Sequence, residues 1–139
     1  MFESRGFHGV VTPGFEFYDV FDPAVSGIAP EIMYKMTDHK GRLIVMRPDS
    51  TMPIARLMAT RLQNLPKTVR LYYTQKVCRN HPRLTGRSDE VMQTGVELLG
   101  EAGRRADLET VVTAAERLSQ GMPDFRLGLG HAGFFRSIA

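Results

Sequence analysis

Gln93 and Glu97 stand four residues apart in a stretch, Glu90 to Leu99, that alternates as a strand does. Both side chains therefore fall on one face, separated by roughly 13 Å of backbone. Gly95 lies between them without a side chain, which leaves a floor for a small polar molecule. A carboxylate beside an amide can bind a cationic amine or an imidazole. An arginine can hold a carboxylate in a two-pronged contact, and Arg79, at the end of the preceding β-rich stretch, is the residue placed for it. Asp49 and Thr51, at an expected helix start, add ammonium and hydroxyl contacts. Asp49, Thr51, Arg79, Gln93 and Glu97 together suit a zwitterionic amino acid. The alternative is that Gln93 and Glu97 form the solvated face of a sheet.

Other chemistries lack their residue sets. His81 and His131 are isolated from further ligand types, so no metal site is expected. Gly128-Leu129-Gly130-His131-Ala132-Gly133 has neither the lysine nor the spacing of a phosphate loop, and close backbone packing is the better explanation. No serine–histidine–aspartate or cysteine–histidine arrangement is visible, so no catalytic residue and no cofactor is assigned. Cys78 is a lone cysteine and reads as a reduced strand residue.

The elements that must position the five residues follow from periodicity. Val69 to Cys78 and Glu90 to Leu99 read as two long strands joined by a long basic loop through Arg79, Arg83 and Arg87. In the second, Met92, Thr94, Val96 and Leu98 share the face suited to packing helices, and the opposite face is left for a ligand. Pro48-Asp49-Ser50-Thr51 offers N-cap oxygens before Ile54, Leu57, Met58 and Leu62, one helical stripe. Met33 to Met36 and Arg42 to Met46 flank a polar turn and make a hairpin. His8 to Pro13 is a short strand, and the aromatic stretch Phe15 to Phe21 a short core helix. A second amphipathic helix, with Leu108, Val111, Val112, Ala115 and Leu118, starts near Asp107 and is closed by Gly121 and Pro123. Arg126 to Gly130 reads as a last short strand, with a new helix beginning before Ala139. The pattern predicts an α+β domain on an antiparallel sheet flanked by helices.

With 139 residues, 42% hydrophobic and 24% charged, the chain lies in the globular range, and one domain over residues 1–139 is expected. No long apolar run and no signal-peptide order appear, so neither a membrane partner nor export is indicated, and the cytoplasm is the expected location. A formal charge of +3 permits nucleic-acid or phosphate contacts but is also ordinary surface chemistry and decides nothing alone; a nucleic-acid partner is not the expectation.

Three stretches carry a resemblance: Met33-Tyr34-Lys35 with Arg47-Pro48-Asp49-Ser50-Thr51, Tyr72-Tyr73 through Cys78-Arg79, and Gly86-Arg87-Ser88-Asp89-Glu90 through Gln93-Thr94-Gly95-Val96-Glu97. Together, from about Phe7 to Phe135, they resemble the histidine-specific version of the class II aminoacyl-tRNA synthetase core. In that family an Arg-Pro-Glu-Gly-Thr segment and a Gln-x-Gly-x-Glu strand bind histidine, and the motif 2 arginine contacts the substrate carboxylate and the ATP phosphate. The resemblance places Asp49, Thr51, Arg79, Gln93 and Glu97 at those positions.

Departures point to a regulatory branch. The adenine-reading glutamate, two residues after the motif 2 arginine, is His81 here. The glutamate and glycine before the threonine become Asp49 and Ser50, which moves the carboxylate and fills part of the pocket. The wording of Arg47 to Arg56 and of Leu84 to Glu90 resembles family members that have lost aminoacylation and assemble with a short-form ATP phosphoribosyltransferase catalytic subunit. That resemblance implies a non-catalytic subunit in histidine biosynthesis, a histidine ligand, and a homodimer within a hetero-oligomer at full length. Family members continue well beyond this length, so it also implies a truncated domain, weakly stable or self-associating when isolated. Two alternatives stay open: a histidyl-tRNA synthetase using Arg79, Gln93 and Glu97, and a general RNA-binding module using Arg79, Arg83 and Arg87, which rests on charge alone.

Overall fold

A computed structural model describes residues 2–64, 68–81, 86–122 and 124–130. Arg83, Pro123, His131 and the helix expected before Ala139 lie outside the described residues. The chain divides into two compact units, Met1–Glu101 and Ala102–Ala139.

Among the described residues, the first unit holds two three-stranded sheets and two α-helices. Its strands are β1 (His8–Gly9), β2 (Phe15–Phe17), β3 (Lys35–Thr37), β4 (Leu43–Met46), β5 (Val69–Cys78) and β6 (Glu90–Leu99); its helices are α1 (Pro23–Ser26) and α2 (Thr51–Thr60). One sheet runs β1-β5-β6, the other β2-β4-β3. All pairings are antiparallel except the two-residue contact of β1 with β5, which is parallel. Both long strands have the bounds expected of them; the hairpin forms as well, but its first strand is Lys35–Thr37 rather than Met33 to Met36, and its second begins at Leu43 rather than Arg42. In its turn the Asp38 carboxylate accepts from the Lys40 and Arg42 amides at 2.8 and 2.9 Å, and Gly41 takes the left-handed conformation (φ 75°) that favours glycine.

On β5, alternation buries Val69, Leu71, Tyr73, Gln75 and Val77 on one face. Ile54 of α2 packs on Val69, Leu71 and Tyr73, with Val10, Met58 and Leu99 at the edge. A second cluster gathers Phe21, Met33 and Val45, joined by Tyr18, Ile28 and Met52. Register sets Leu71 opposite Glu97, Tyr73 opposite Gly95 and Gln75 opposite Gln93. The face expected to be free for a ligand is therefore the one that α2 covers, and core and candidate site share it.

Phe15–Phe21 corrects the expectation of a core helix. Phe15–Phe17 is a strand and Tyr18–Phe21 a single 3-10 turn. Alternation turns Glu16 inward, 5% exposed, and leaves Phe15 51% exposed. The buried carboxylate is matched by Arg56 at 2.9 Å and by the Phe17 amide at 2.9 Å, as a charge out of water requires.

In the second unit, α3 (Arg104–Gly121) begins three residues before Asp107, behind Gly103. Its expected buried stripe is in part exposed, with Leu108 at 62%. Residues 126–130 form no strand. Gly128 and Gly130 supply no side chains for a sheet surface, and β-propensity without a pairing partner does not make a strand.

Candidate functional site

The turn between β4 and α2 carries the first two candidates. At the start of α2 the Thr51 amide is capped by Asp49 Oδ1 at 2.8 Å, satisfying one of the helix's unpaired donors. The other oxygen, Oδ2, accepts from Gln93 Nε2 at 3.1 Å and faces Arg79 Nη2 at 3.5 Å. Arg79 Nε also donates to the Pro48 carbonyl at 2.7 Å. The Thr51 hydroxyl donates to Glu97 Oε1 at 2.7 Å. All five expected residues thus join one hydrogen-bonded network, drawn from a turn, a helix start, the residue that follows β5, and β6.

Three of them face a cavity of about 650 Å³. Asp49, Thr51 and Arg79 form its polar side, and Ile28, Ile32 and Met52 its apolar side. Gln93 and Glu97 connect to it through Asp49 and Thr51. Asp49 and Arg79 are turned toward each other, so a ligand would have to compete with or extend that pair. Their unused lone pairs and N–H groups are where it would do so.

Burial pushes the Glu97 carboxyl above the usual carboxylate range; the Thr51 hydroxyl opposes this and Asp49 reinforces it. A raised carboxyl pKa means that ionisation costs folding free energy, so stability is lost as pH rises from the unfolded value near ~4.3 through the higher folded value. Glu97→Gln is accordingly expected to melt higher than the unsubstituted protein at about pH 8 and to lose that advantage near pH 4, as thermal denaturation across pH would show. A constant difference in melting temperature would remove the argument. The Gln93 carbonyl oxygen is buried, with no hydrogen-bond partner among the described residues, an arrangement worth roughly 1–3 kcal/mol to a donor that reaches it.

Two sequence expectations are corrected. The floor over Gly95 is filled: a Cβ there would meet Tyr73 Cζ at 2.6 Å and Cε1 at 3.0 Å, so the phenol ring lies on the glycine. Gly95→Ala should cost about 1–3 kcal/mol by forcing out a ring that is 5% exposed, read as a lower unfolding midpoint. An unchanged midpoint would mean that Tyr73 has room to move. Ser50 does not fill the cavity either. It is fully buried on the other side of the turn, where its hydroxyl accepts from Gln75 Nε2 at 3.0 Å.

His81 is fastened away from such a role as well. Its amide donates to Asp89 Oδ1 at 3.0 Å, its Nδ1 lies 3.3 Å from the same oxygen, and Tyr34 donates its hydroxyl to Asp89 Oδ2. The Tyr34 hydroxyl, then the His81 amide, hold the Asp89 carboxyl below its usual range. No group of three or more metal-ligating side chains occurs among the described residues, and no described helix is long and apolar enough to cross a membrane.

Sequence reasoning missed Tyr73, Gln75, Asp89 and the buried Arg47 as parts of this architecture. The glycine in mid-strand was the available signal for Tyr73, since it marks close approach of a neighbour.

The family model for histidyl-tRNA synthetase matches residues 1–139. Curated relatives named ATP phosphoribosyltransferase regulatory subunit include one from Clostridium botulinum, 37% identical, and one from Clostridium novyi, 40% identical, each over 99% of this chain. The chain spans about a third (33%) of the length of each. A solved structure from Bacillus halodurans, described as an ATP phosphoribosyltransferase regulatory subunit/histidyl-tRNA synthetase, superposes with a TM-score of 0.77 at 33% identity, covering 87% of this chain and 31% of that one.

Proposed function

The chain belongs to the histidyl-tRNA synthetase family, and we propose that within it the protein is a regulatory subunit of ATP phosphoribosyltransferase. In this reading it has lost aminoacylation and works in the cytoplasm beside a short-form catalytic subunit, in the first step of histidine biosynthesis. It pairs with a second copy of itself inside the hetero-oligomer. The cavity at Asp49, Thr51 and Arg79 takes histidine as the feedback signal, with Gln93 and Glu97 behind it.

The observation that carries the reading is the contrast between the two halves of the constellation. The amino-acid set is kept together, whereas the position of the adenine-reading glutamate holds His81, bonded to Asp89. A pocket suited to an amino acid without the acid that reads a nucleotide fits sensing better than activation. The names of relatives at 37% and 40% identity support the same branch. Feedback then requires histidine to bind one state of the assembly more tightly than another.

Titration of histidine into the full-length protein should give binding, and ATP–pyrophosphate exchange dependent on histidine should be absent. Exchange would instead establish the second reading, a synthetase, which the retained Arg79, Gln93 and Glu97 favour. The RNA-binding reading loses ground because Arg79 is committed to Asp49 and Pro48.

A further inference from the structure

We propose that Asp89 is a positioning residue of this pocket: its carboxylate ties the chain that follows β5 to the β3–β4 hairpin, and so sets the guanidinium of Arg79 for the carboxylate of the ligand. The inference rests on the reading of the cavity as a histidine site and adds to it a residue outside the cavity wall.

The polar side of the cavity comes from two parts of the chain, Asp49 and Thr51 from the turn after β4 and Arg79 from the residue that follows β5. A two-pronged contact with a carboxylate requires the guanidinium plane to be placed, not only its charge. The Arg79 side chain has one short bond, from Nε to the Pro48 carbonyl at 2.7 Å, while Nη2 stands 3.5 Å from Asp49. A ligand that competes for Asp49 leaves the aim of Arg79 to Pro48 and to its own backbone.

Asp89 holds that backbone at two points. Its carbonyl accepts from the Arg79 amide at 2.8 Å, and its Oδ1 accepts from the His81 amide at 3.0 Å. Its Oδ2 accepts from the Tyr34 hydroxyl. Tyr34 is itself fastened to the hairpin, its carbonyl accepting from the Met46 amide at 3.0 Å, and Arg47 follows directly on the way to Asp49. One carboxylate thus refers the Arg79 segment to the strand that leads into the other half of the cavity. An ionised acceptor makes these the stronger kind of hydrogen bond. Asn80 adds bonds of its own, from its amide to the Ile32 carbonyl at 2.8 Å and from Nδ2 to the Glu31 carbonyl at 3.2 Å. Removal of the Asp89 carboxylate therefore loosens the segment without detaching it. The Asp89 side chain is 42% exposed, so the fold should tolerate its truncation with a melting temperature near that of the unsubstituted protein.

Isothermal titration of L-histidine and of histamine, the same molecule without its carboxylate, into the full-length protein separates aim from fold. The unsubstituted protein should prefer L-histidine, and Arg79→Ala should remove most of that preference. Asp89→Ala should lower L-histidine affinity about tenfold and leave histamine affinity unchanged, with no further effect when Arg79 is already alanine. Tyr34→Phe, which deletes one hydroxyl, should move the ratio of the two affinities in the same direction, and it decides the matter if Asp89→Ala melts early. Equal losses for both ligands, losses that add in the double variant, or an unchanged ratio would overturn the positioning role while Arg79→Ala still removes the preference. If the unsubstituted protein does not prefer L-histidine, or Arg79→Ala keeps the preference, the pocket reading has failed and the positioning role with it.

Discussion

Arg47→Met is expected to lower the stability of the first unit by about 4 kcal/mol, as several buried acceptors lose their donor, a large share of the ~5–15 kcal/mol that holds a domain together. Arg47 is 5% exposed and donates five hydrogen bonds to neutral oxygens. Its Nη1 reaches the Thr12 carbonyl at 2.7 Å, the Thr12 hydroxyl at 3.1 Å and the Pro13 carbonyl at 3.0 Å. Its Nε and Nη2 reach the Lys76 carbonyl at 3.2 and 2.6 Å. The backbone of Arg47 is tied as well, its amide to Gly14 at 2.9 Å and its carbonyl to the Cys78 amide at 2.9 Å. One side chain thus fixes the β4-to-α2 turn, and with it Asp49 and Thr51, to β5. Methionine fills similar volume but leaves buried carbonyls without donors, each a loss of roughly 1–3 kcal/mol. Denaturant unfolding followed by circular dichroism reads the effect. A loss under about 1 kcal/mol would mean that water replaces the guanidinium at no great cost.

The second large effect is on the ligand. Arg79→Ala should weaken histidine binding about a hundredfold, since truncating one partner of a hydrogen-bonded charge pair costs ~2–5 kcal/mol. Arg79 lies in the cavity wall with its Nε on the Pro48 carbonyl, which presents the guanidinium edge rather than a single point of charge. Lysine keeps the charge without the planar fork, so Arg79→Lys should recover little of the affinity. The side chain of Arg79 is 38% exposed and its ion pair with Asp49 is long, 3.5 Å. An exposed pair of that kind adds little stability, so both variants should fold with near-normal midpoints. Full recovery by lysine would reduce Arg79 to a general positive charge.

How much of this was legible from the sequence differs by element. The two long strands are legible because ten residues of alternation leave no other period to satisfy, and the structure has them at Val69–Cys78 and Glu90–Leu99. The hairpin is legible from its turn chemistry. Phe15–Phe17 is misread because the inward residue is Glu16, and a buried carboxylate makes sense only with Arg56, forty residues away, in view. Of the candidate site, the grouping of the five residues in space is legible through strand faces and resemblance. Their mutual arrangement is not: register depends on how the loop closes, and only register reveals that Tyr73 fills the space over Gly95. The direction of Ser50 is hidden for the same reason, since its partner Gln75 sits on β5, outside the turn that holds Ser50.

The most direct test of the account mixes the full-length protein with a short-form catalytic subunit and follows ATP phosphoribosyltransferase activity as histidine is added. Activity should require this protein and be suppressed by histidine, with suppression lost in Arg79→Ala. Activity indifferent to the protein, or suppression that survives Arg79→Ala undiminished, would contradict it.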